Sequence, residues 1–178
     1  MRVRAIAVAL VASLALLAAG CGKNDQPSTA AWTDDFCSAI TTWQSSITSI
    51  VTSLQSSGLT KDSLTSAFDD AKSATNDLTS SLGDLGKPDS EAGQQAQDAV
   101  EQLSSEITTD IQTIQDAVDN ASGVSGYLNA AQVTKDTISK AGSQVSTTIV
   151  TLQGVGAQDE FKNAFQDSSS CQKLTGGS

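Results

Sequence analysis

Few residues in this chain are of the kinds that carry out covalent or acid–base chemistry. Its 178 residues include 3 Cys, 20 acidic residues and no His. Without His there is no imidazole to bind a metal, to act as a general base or to complete a Ser-His-Asp triad. No serine lies in the G-x-S-x-G pattern of a nucleophile elbow. We therefore expect a protein without enzymatic activity, with no catalytic residues, no metal and no cofactor.

Carboxylates are the remaining candidates for chemistry, and two adjacent pairs are present. One interpretation of Asp34–Asp35 and Asp69–Asp70 is a carboxylate dyad or a cation site. No D-x-D-x-D-G calcium loop accompanies them. We interpret the first pair as favourable charge at a helix start and the second as a solvated helix face. The acids of the third predicted helix are likewise interpreted as its wet face: Asp98, Glu101, Glu106, Asp110, Asp116 and Asp119.

The N-terminal segment has the features of an export signal. Two arginines precede a 15-residue apolar run, residues 5–19, which is shorter than a typical membrane-spanning helix. The sequence LLAAGC at residues 16–21 resembles the lipobox of bacterial lipoproteins. That resemblance implies cleavage between Gly20 and Cys21 and a lipid anchor on Cys21 that holds the chain at the extracytoplasmic face of the cell membrane. An uncleaved membrane helix and an ordinary secretory signal are the alternatives.

Cleavage at that point would set the domain organisation and the charge. Residues 1–20 are then a lipoprotein signal peptide, 21–30 a flexible tether, 31–174 a helical domain and 175–178 a loose tail. The full chain has a formal charge of −10, and the mature chain would have eight Lys and no Arg against 20 acids, a charge of −12. Because affinity for nucleic acid depends on Lys and Arg beside phosphates, we expect no nucleic-acid partner.

The two remaining cysteines, Cys37 and Cys171, lie near the two ends of the expected domain. Exported proteins meet oxidising conditions, so a disulfide between them is the simplest expectation. Two reduced thiols are the alternative. Since no C-x-x-C motif is present, we interpret the pair as structural.

The elements that must position these residues are predicted to be long helices. Apolar residues at steps of three and four give the first stripe: Trp32, Phe36, Ile40, Trp43, Ile47, Ile50 and Leu54. Thr33 is the expected cap of this helix. Further stripes predict a helix from Thr60 to a break at residues 83–88, and a third from residue 89 or 90 to about 122. A fourth is predicted over 125–152 and a short fifth over 158–166.

These elements predict an all-α fold, an antiparallel up-down-up-down four-helix bundle with a short C-terminal fifth helix, stapled by one disulfide. The expected buried face of the fourth helix consists of Leu128, Ala131, Ile138, Ala141, Val145, Ile149 and Leu152. A strand where Thr and Ile cluster, at residues 147–151, is the alternative. In the bundle topology the first helix starts where the fourth ends, which predicts an aromatic cluster around the disulfide at the membrane-proximal end: Trp32, Phe36, Phe161 and Phe165.

Two functions remain open. One is a non-enzymatic binding or accessory module of the cell envelope that contacts an envelope protein. The other is a carrier of an apolar ligand held between the helices, where alanines at facing positions could leave a cavity: Ala67, Ala71, Ala74, Ala96, Ala131 and Ala141. Close helix approach is the simpler explanation of those alanines, and we interpret Trp32 and Trp43 as core residues.

The overall pattern also resembles small lipoproteins of high-GC Gram-positive bacteria. The residues that carry the resemblance are the lipobox, the Ser/Thr/Asp-containing tether, the Phe36-Cys37 dipeptide and the late Ser170-Cys171-Gln172. Many members of that group have no assigned function. The resemblance therefore implies an envelope location and attachment to the membrane through Cys21, without identifying the envelope protein or ligand that is bound.

Overall fold

The computed structural model describes residues 26–156 and 159–174, and these residues form six α-helices with no strand among them. The helices are α1 (Thr29–Ser57), α2 (Lys61–Asp84), α3 (Gly93–Asp119), α4 (Gly123–Gly154), α5 (Glu160–Asp167) and α6 (Ser169–Leu174). The predicted all-α class is confirmed, and helix α4 runs through residues 147–151 where a strand was the alternative. The expectation of Gly20 as the cleavage position and Cys21 as the anchor falls outside the described residues.

Helix α1 begins earlier than its apolar stripe indicates. Ser28 is extended and its hydroxyl accepts a hydrogen bond from Ala31 N at 3.3 Å, so Ser28 rather than Thr33 is the N-cap. Thr33 is instead fully buried within the helix. The Pro27 carbonyl oxygen accepts a hydrogen bond from Asp89 N at 2.9 Å. The chain is therefore ordered before residue 31, where the tether was expected to end.

The start of α2 follows its sequence signals closely. The Thr60 hydroxyl accepts a hydrogen bond from Ser63 N at 3.1 Å, and the Ser63 hydroxyl accepts one from Thr60 N at 2.9 Å, which completes a capping box. Helix α3 starts later than predicted because residues 88–92 form turns. A Cβ on Gly93 would lie 2.2 Å from the Pro88 carbonyl oxygen, so only glycine allows this close approach.

Helices adjacent in the chain pack against each other, α1 on α2, α2 on α3 and α3 on α4. Helix α5 packs on α1 and α4, and α6 packs on α1 and α5. The backbone of α4 comes close to that of α2 at few points, and to that of α1 at fewer still. The side between α1 and α4 is therefore the least closed side of the long helices, and α5 and α6 cover it only near the end of α4.

The buried face of α4 differs from the predicted one at its N-terminal half. Leu128 is 56% exposed, while Ala130 is completely buried. Residues two positions apart in an α-helix point in directions about 200° apart around the helix axis, so Leu128 and Ala130 cannot face the same neighbouring helix. The observed face continues through Thr137, Ala141 and Val145. A pattern based on large apolar residues misses its N-terminal half, where Ala130 and Thr137 stand, whereas Ala141, Val145, Ile149 and Leu152 are buried as predicted.

The core consists of two clusters of buried side chains. The larger one runs from the disulfide to the middle of the long helices and includes Trp43 and Ile107. The smaller one lies at the far end, where α1 and α3 finish and α2 and α4 begin: Leu64, Phe68, Ile114, Val118, Ala121 and Ala130. The junction between these clusters is the location of the cavity described below.

Candidate functional site: an apolar cavity

The disulfide end of the domain joins the start of α1 to the C-terminal helices. Cys37 and Cys171 form the predicted disulfide, with Cα atoms 4.9 Å apart across 134 residues of sequence. Both cysteines are buried. This crosslink confirms the expected pairing and is structural, because no exposed sulfur is present at the bond.

The four aromatic residues expected near the disulfide lie together in the structure. Trp32 stacks on Phe36 with ring centroids 5.8 Å apart, and Phe161 meets Trp32 edge-on at 5.8 Å. Phe165 meets Phe36 edge-on at 6.2 Å. Trp32 Nε1 also donates a hydrogen bond to the Gly86 carbonyl oxygen at 3.0 Å, which ties the start of α1 to the end of α2. All four rings are buried and form a packed core.

The interpretation of Asp34–Asp35 as favourable charge at a helix start was wrong, because α1 begins at Thr29 and has no acidic residue in its first turn. Asp34 instead joins two helices. The Ser168 hydroxyl donates a hydrogen bond to Asp34 Oδ1 at 2.7 Å and accepts one from Cys171 N at 3.1 Å. Ser168 thereby caps α6 and joins it to α1. The hydroxyl groups of Ser168 and then Ser170 lower the pKa of the Asp34 carboxyl from its ordinary value, because they stabilise its charged form. Asp35 is exposed.

The other carboxylates do not assemble into a metal site in the described part of the chain. Asp69 and Asp70 are exposed on α2, as predicted for a solvated face. Within residues 26–156 and 159–174, no three His, Cys, Asp or Glu side chains come close enough together to hold a metal ion.

A cavity of about 50 Å³ lies between all four long helices at the junction of the two core clusters. On a comparable measure one water molecule needs roughly 10–15 Å³, so this space exceeds that of a packing gap. Its wall is almost wholly apolar and comes from four helices: Trp43, Ile47, Ile50, Val51 and Leu54 of α1; Leu64, Ala67, Phe68 and Ala71 of α2; Ile107, Ile111, Ile114 and Val118 of α3; and Ile138 and Ala141 of α4.

The alanines expected to leave a cavity are divided in the structure. Ala67, Ala71 and Ala141 line the cavity, as does Trp43, which was interpreted as a core residue only. The other alanines, Ala74, Ala96 and Ala131, lie outside its wall. Close helix approach therefore does not explain all six alanines, because Ala67, Ala71 and Ala141 border the empty space of the cavity.

Asp110 is the charged residue of the cavity wall, and the sequence interpretation of it was wrong. It was interpreted as part of the wet face of α3, yet it is 3% exposed. Asp110 Oδ1 accepts a hydrogen bond from Lys140 Nζ at 2.6 Å, and 61% of the Lys140 side chain remains exposed. Asp110 Oδ2 is buried and has no hydrogen-bond partner among the described residues. A carboxylate oxygen in this state is energetically costly.

A signal for this burial is present in the sequence. Leu103, Ile107, Asp110 and Ile114 follow each other at steps of four, three and four, so Asp110 occupies a position on the buried stripe. The apolar stripe predicted for the third helix runs through the neighbouring Ile111 instead, which left the carboxylate out of the predicted core. Threonines occupy the remaining polar positions of the wall: Thr75, Thr134 and Thr137.

A second, larger groove of about 780 Å³ runs along the outer surface between α1 and α2. Its wall combines apolar and polar side chains, and its charged residues are Asp35, Asp77 and Asp84, with Lys87 at one end. This groove is open to solvent and lacks the apolar enclosure of the internal cavity. Its charge is complementary to a cationic surface.

No helix in the described ranges has the length and apolar character needed to cross a membrane. No protein-family model matches the chain, and no curated protein or solved structure matches it either.

Proposed function

We propose that this chain is a lipid-anchored, extracytoplasmic and non-enzymatic module that holds an apolar ligand between its helices. The observation that carries the proposal is the cavity, whose wall draws apolar side chains from α1, α2, α3 and α4. Ligand sites of this kind are concave and mainly apolar, with a small number of placed polar groups. Of the two functions left open by the sequence, the cavity favours the carrier.

The anchoring part of the proposal rests on the lipobox-like sequence at residues 16–21. The packing order and the Trp32–Gly86 hydrogen bond support an up-down-up-down bundle, with the disulfide at the end nearer the tether. The cavity then lies toward the half of the domain that projects from the membrane. This position keeps the binding site away from the anionic leaflet, which would repel the negative charge of the mature chain.

Entry of a ligand larger than the cavity requires one side of the domain to open. The backbones of α1 and α4 come close at few points, and cavity-lining residues on that side are only partly buried: Ile50, Val51, Leu54, Thr134 and Ile138. Separating α1 from α4 therefore breaks few close backbone contacts. We propose that the ligand enters there, while the disulfide holds the opposite end closed.

Toluene, a small and purely apolar probe, tests this function on the full lipidated chain in lipid nanodiscs. Methyl NMR signals of Ala71 and Ile138 report occupancy of the cavity without interference from toluene in the bilayer. Ala141→Leu fills the cavity from α4 and should abolish the shifts. Ala131→Leu adds the same side chain to α4 outside the wall and should leave them unchanged. Absence of toluene-induced shifts in the unsubstituted chain would contradict the proposal.

The acidic groove between α1 and α2 favours the other function, a contact with a cationic segment of an envelope protein. Crosslinking of the native chain in its envelope would capture such a partner. Asp77→Asn with Asp84→Asn should then reduce the capture, whereas Asp98→Asn on the exposed face of α3 should not. Equal capture by both variants would exclude the groove as the contact surface.

A further inference from the structure

The cavity has a polar feature that a purely apolar ligand would leave unused. Asp110 lies in its wall on α3, and the carboxylate is held by Lys140 through Oδ1. The Lys140 ammonium pairs with Oδ1, so Oδ2 is the carboxylate oxygen that has no partner among the described residues. Trp43 Nε1 is not available to Oδ2, because it donates its hydrogen bond to the Thr75 hydroxyl at 3.2 Å.

A buried carboxylate oxygen needs a hydrogen-bond donor to compensate for lost hydration. The apolar side chains of the wall cannot supply one, and the hydroxyl groups of Thr75, Thr134 and Thr137 form no hydrogen bond with Oδ2. Lys140 already supplies a positive charge to the carboxylate, so a neutral donor is sufficient and a second cation is unnecessary. An O–H group of a ligand meets this requirement and forms a charge-assisted hydrogen bond, which is stronger than one between neutral groups.

We propose that the cavity selects alcohols: ligands with an apolar body and one hydroxyl group that donates a hydrogen bond to Asp110 Oδ2. This inference rests on the proposed function, because it requires that the cavity bind a ligand. It adds the chemical class of that ligand. The apolar wall binds the body of the molecule, and Asp110 orients its hydroxyl end toward α3 and away from the partly open α1–α4 side.

Benzyl alcohol and anisole are a suitable pair of probes because they have the same molecular formula, and only the alcohol has a donor. Their dissociation constants are measured on the full lipidated chain in nanodiscs through the methyl signals of Ala71 and Ala141. The Asp110→Asn variant replaces one carboxylate oxygen by an NH₂ group of similar size. We expect the preference for alcohol over anisole to fall by about tenfold in this variant, as for loss of a hydrogen bond to a charged group.

A merely structural role of Asp110 predicts a different result. Asp110→Asn would then weaken the binding of benzyl alcohol and anisole equally, and an unchanged ratio would overturn the inference. Lys140→Arg, which keeps a cation beside Oδ1, should retain the preference for the alcohol. Loss of the preference in Lys140→Arg would contradict the assignment of Oδ2 as the acceptor.

A second measurement needs no variant and remains decisive if Asp110→Asn does not fold. The ¹³Cγ signal of Asp110 should shift when benzyl alcohol binds and stay in place when anisole binds. If both ligands bind and shift this signal alike, the choice of alcohols is wrong while the carrier function stands. If neither these ligands nor toluene binds the unsubstituted chain, the proposed function itself is wrong, and this inference with it.

Discussion

Lys140 Nζ lies 2.6 Å from Asp110 Oδ1, so a largely exposed lysine on α4 partners a buried carboxylate on α3 at the wall of an apolar cavity. The pair links the two helices beside the half-open α1–α4 side. It also neutralises the Asp110 charge without filling the cavity. Removing either residue alone leaves its partner without a counter-charge, so each single substitution should lower the free energy of unfolding.

Lys140→Met should lower the free energy of unfolding by about 1–3 kcal/mol, because it leaves the buried Asp110 carboxylate without its cation. The value is smaller than for a fully buried pair since water reaches Lys140. Adding Asp110→Leu to Lys140→Met should restore much of the loss. Urea denaturation measures both, with Lys135→Met on the exposed face of α4 as the control. Independent, additive effects of the two substitutions would contradict the coupling.

The disulfide should be the strongest single constraint on the unfolded chain. It closes a loop across 134 residues, and its removal should cost about 2–5 kcal/mol of the free energy of unfolding. Replacing Cys37 and Cys171 together by serine, or reducing the native bond, tests this in urea. The start of α1 and helix α6 should lose hydrogen-exchange protection first. The disulfide joins these two elements, and the main neighbours of α6 are only α1 and α5. Uniform loss of protection over all helices would contradict this order.

Asp34 should make stability depend on pH. Hydrogen bonds from Ser168 and then Ser170 lower its pKa in the folded chain below the ordinary value of 3.8. The stabilisation is therefore fully present above the unfolded pKa and is lost as the pH falls through the lower folded pKa. Asp34→Asn should be less stable than the unsubstituted chain at pH 6, and the difference should shrink below about pH 4. Urea midpoints across this range measure it, with Asp35→Asn as the control; a difference that grows on acidification would contradict the sign.

Much of the disulfide end could be predicted from the sequence, because its signals are strong and local. Two cysteines remain after the lipobox-like Cys21, so only one pairing within the chain is possible, and aromatic residues precede each of them: Phe36 before Cys37, and Phe161 and Phe165 before Cys171. Helix α6 was not predicted. Its six residues, SSCQKL, are too few to show a periodic pattern, and the helix depends on the Ser168 cap and its contacts with α1.

The cavity could not be predicted to the same extent, because it depends on which small and polar residues face inward. Ala130, Thr137 and Ala141 form the inner face of α4, whereas Leu128 points outward. The position of Asp110 on the buried stripe of α3 follows from its spacing, but its partner does not, because Lys140 reaches it from a neighbouring helix, thirty residues away in sequence. No pattern within a single helix contains that information.

The proposed anchor has a direct test that does not depend on the cavity. Cys21→Ser should move the chain from the membrane fraction to the soluble fraction, because stable attachment requires the acyl chains on that thiol. Mass spectrometry should find the acyl mass on the N-terminal peptide of the unsubstituted chain and not in Cys21→Ser. An unmodified Cys21 in the mature chain would contradict the anchor.

The most direct test of the carrier function is to extract the chain purified from its native membrane and identify, by mass spectrometry, the small molecules that are bound without a covalent bond. The account predicts an apolar compound with a hydroxyl group in extracts of the unsubstituted chain and of Ala131→Leu, and its loss from Ala141→Leu. The same compound at equal amounts in all three extracts, or no apolar compound in any of them, would contradict it.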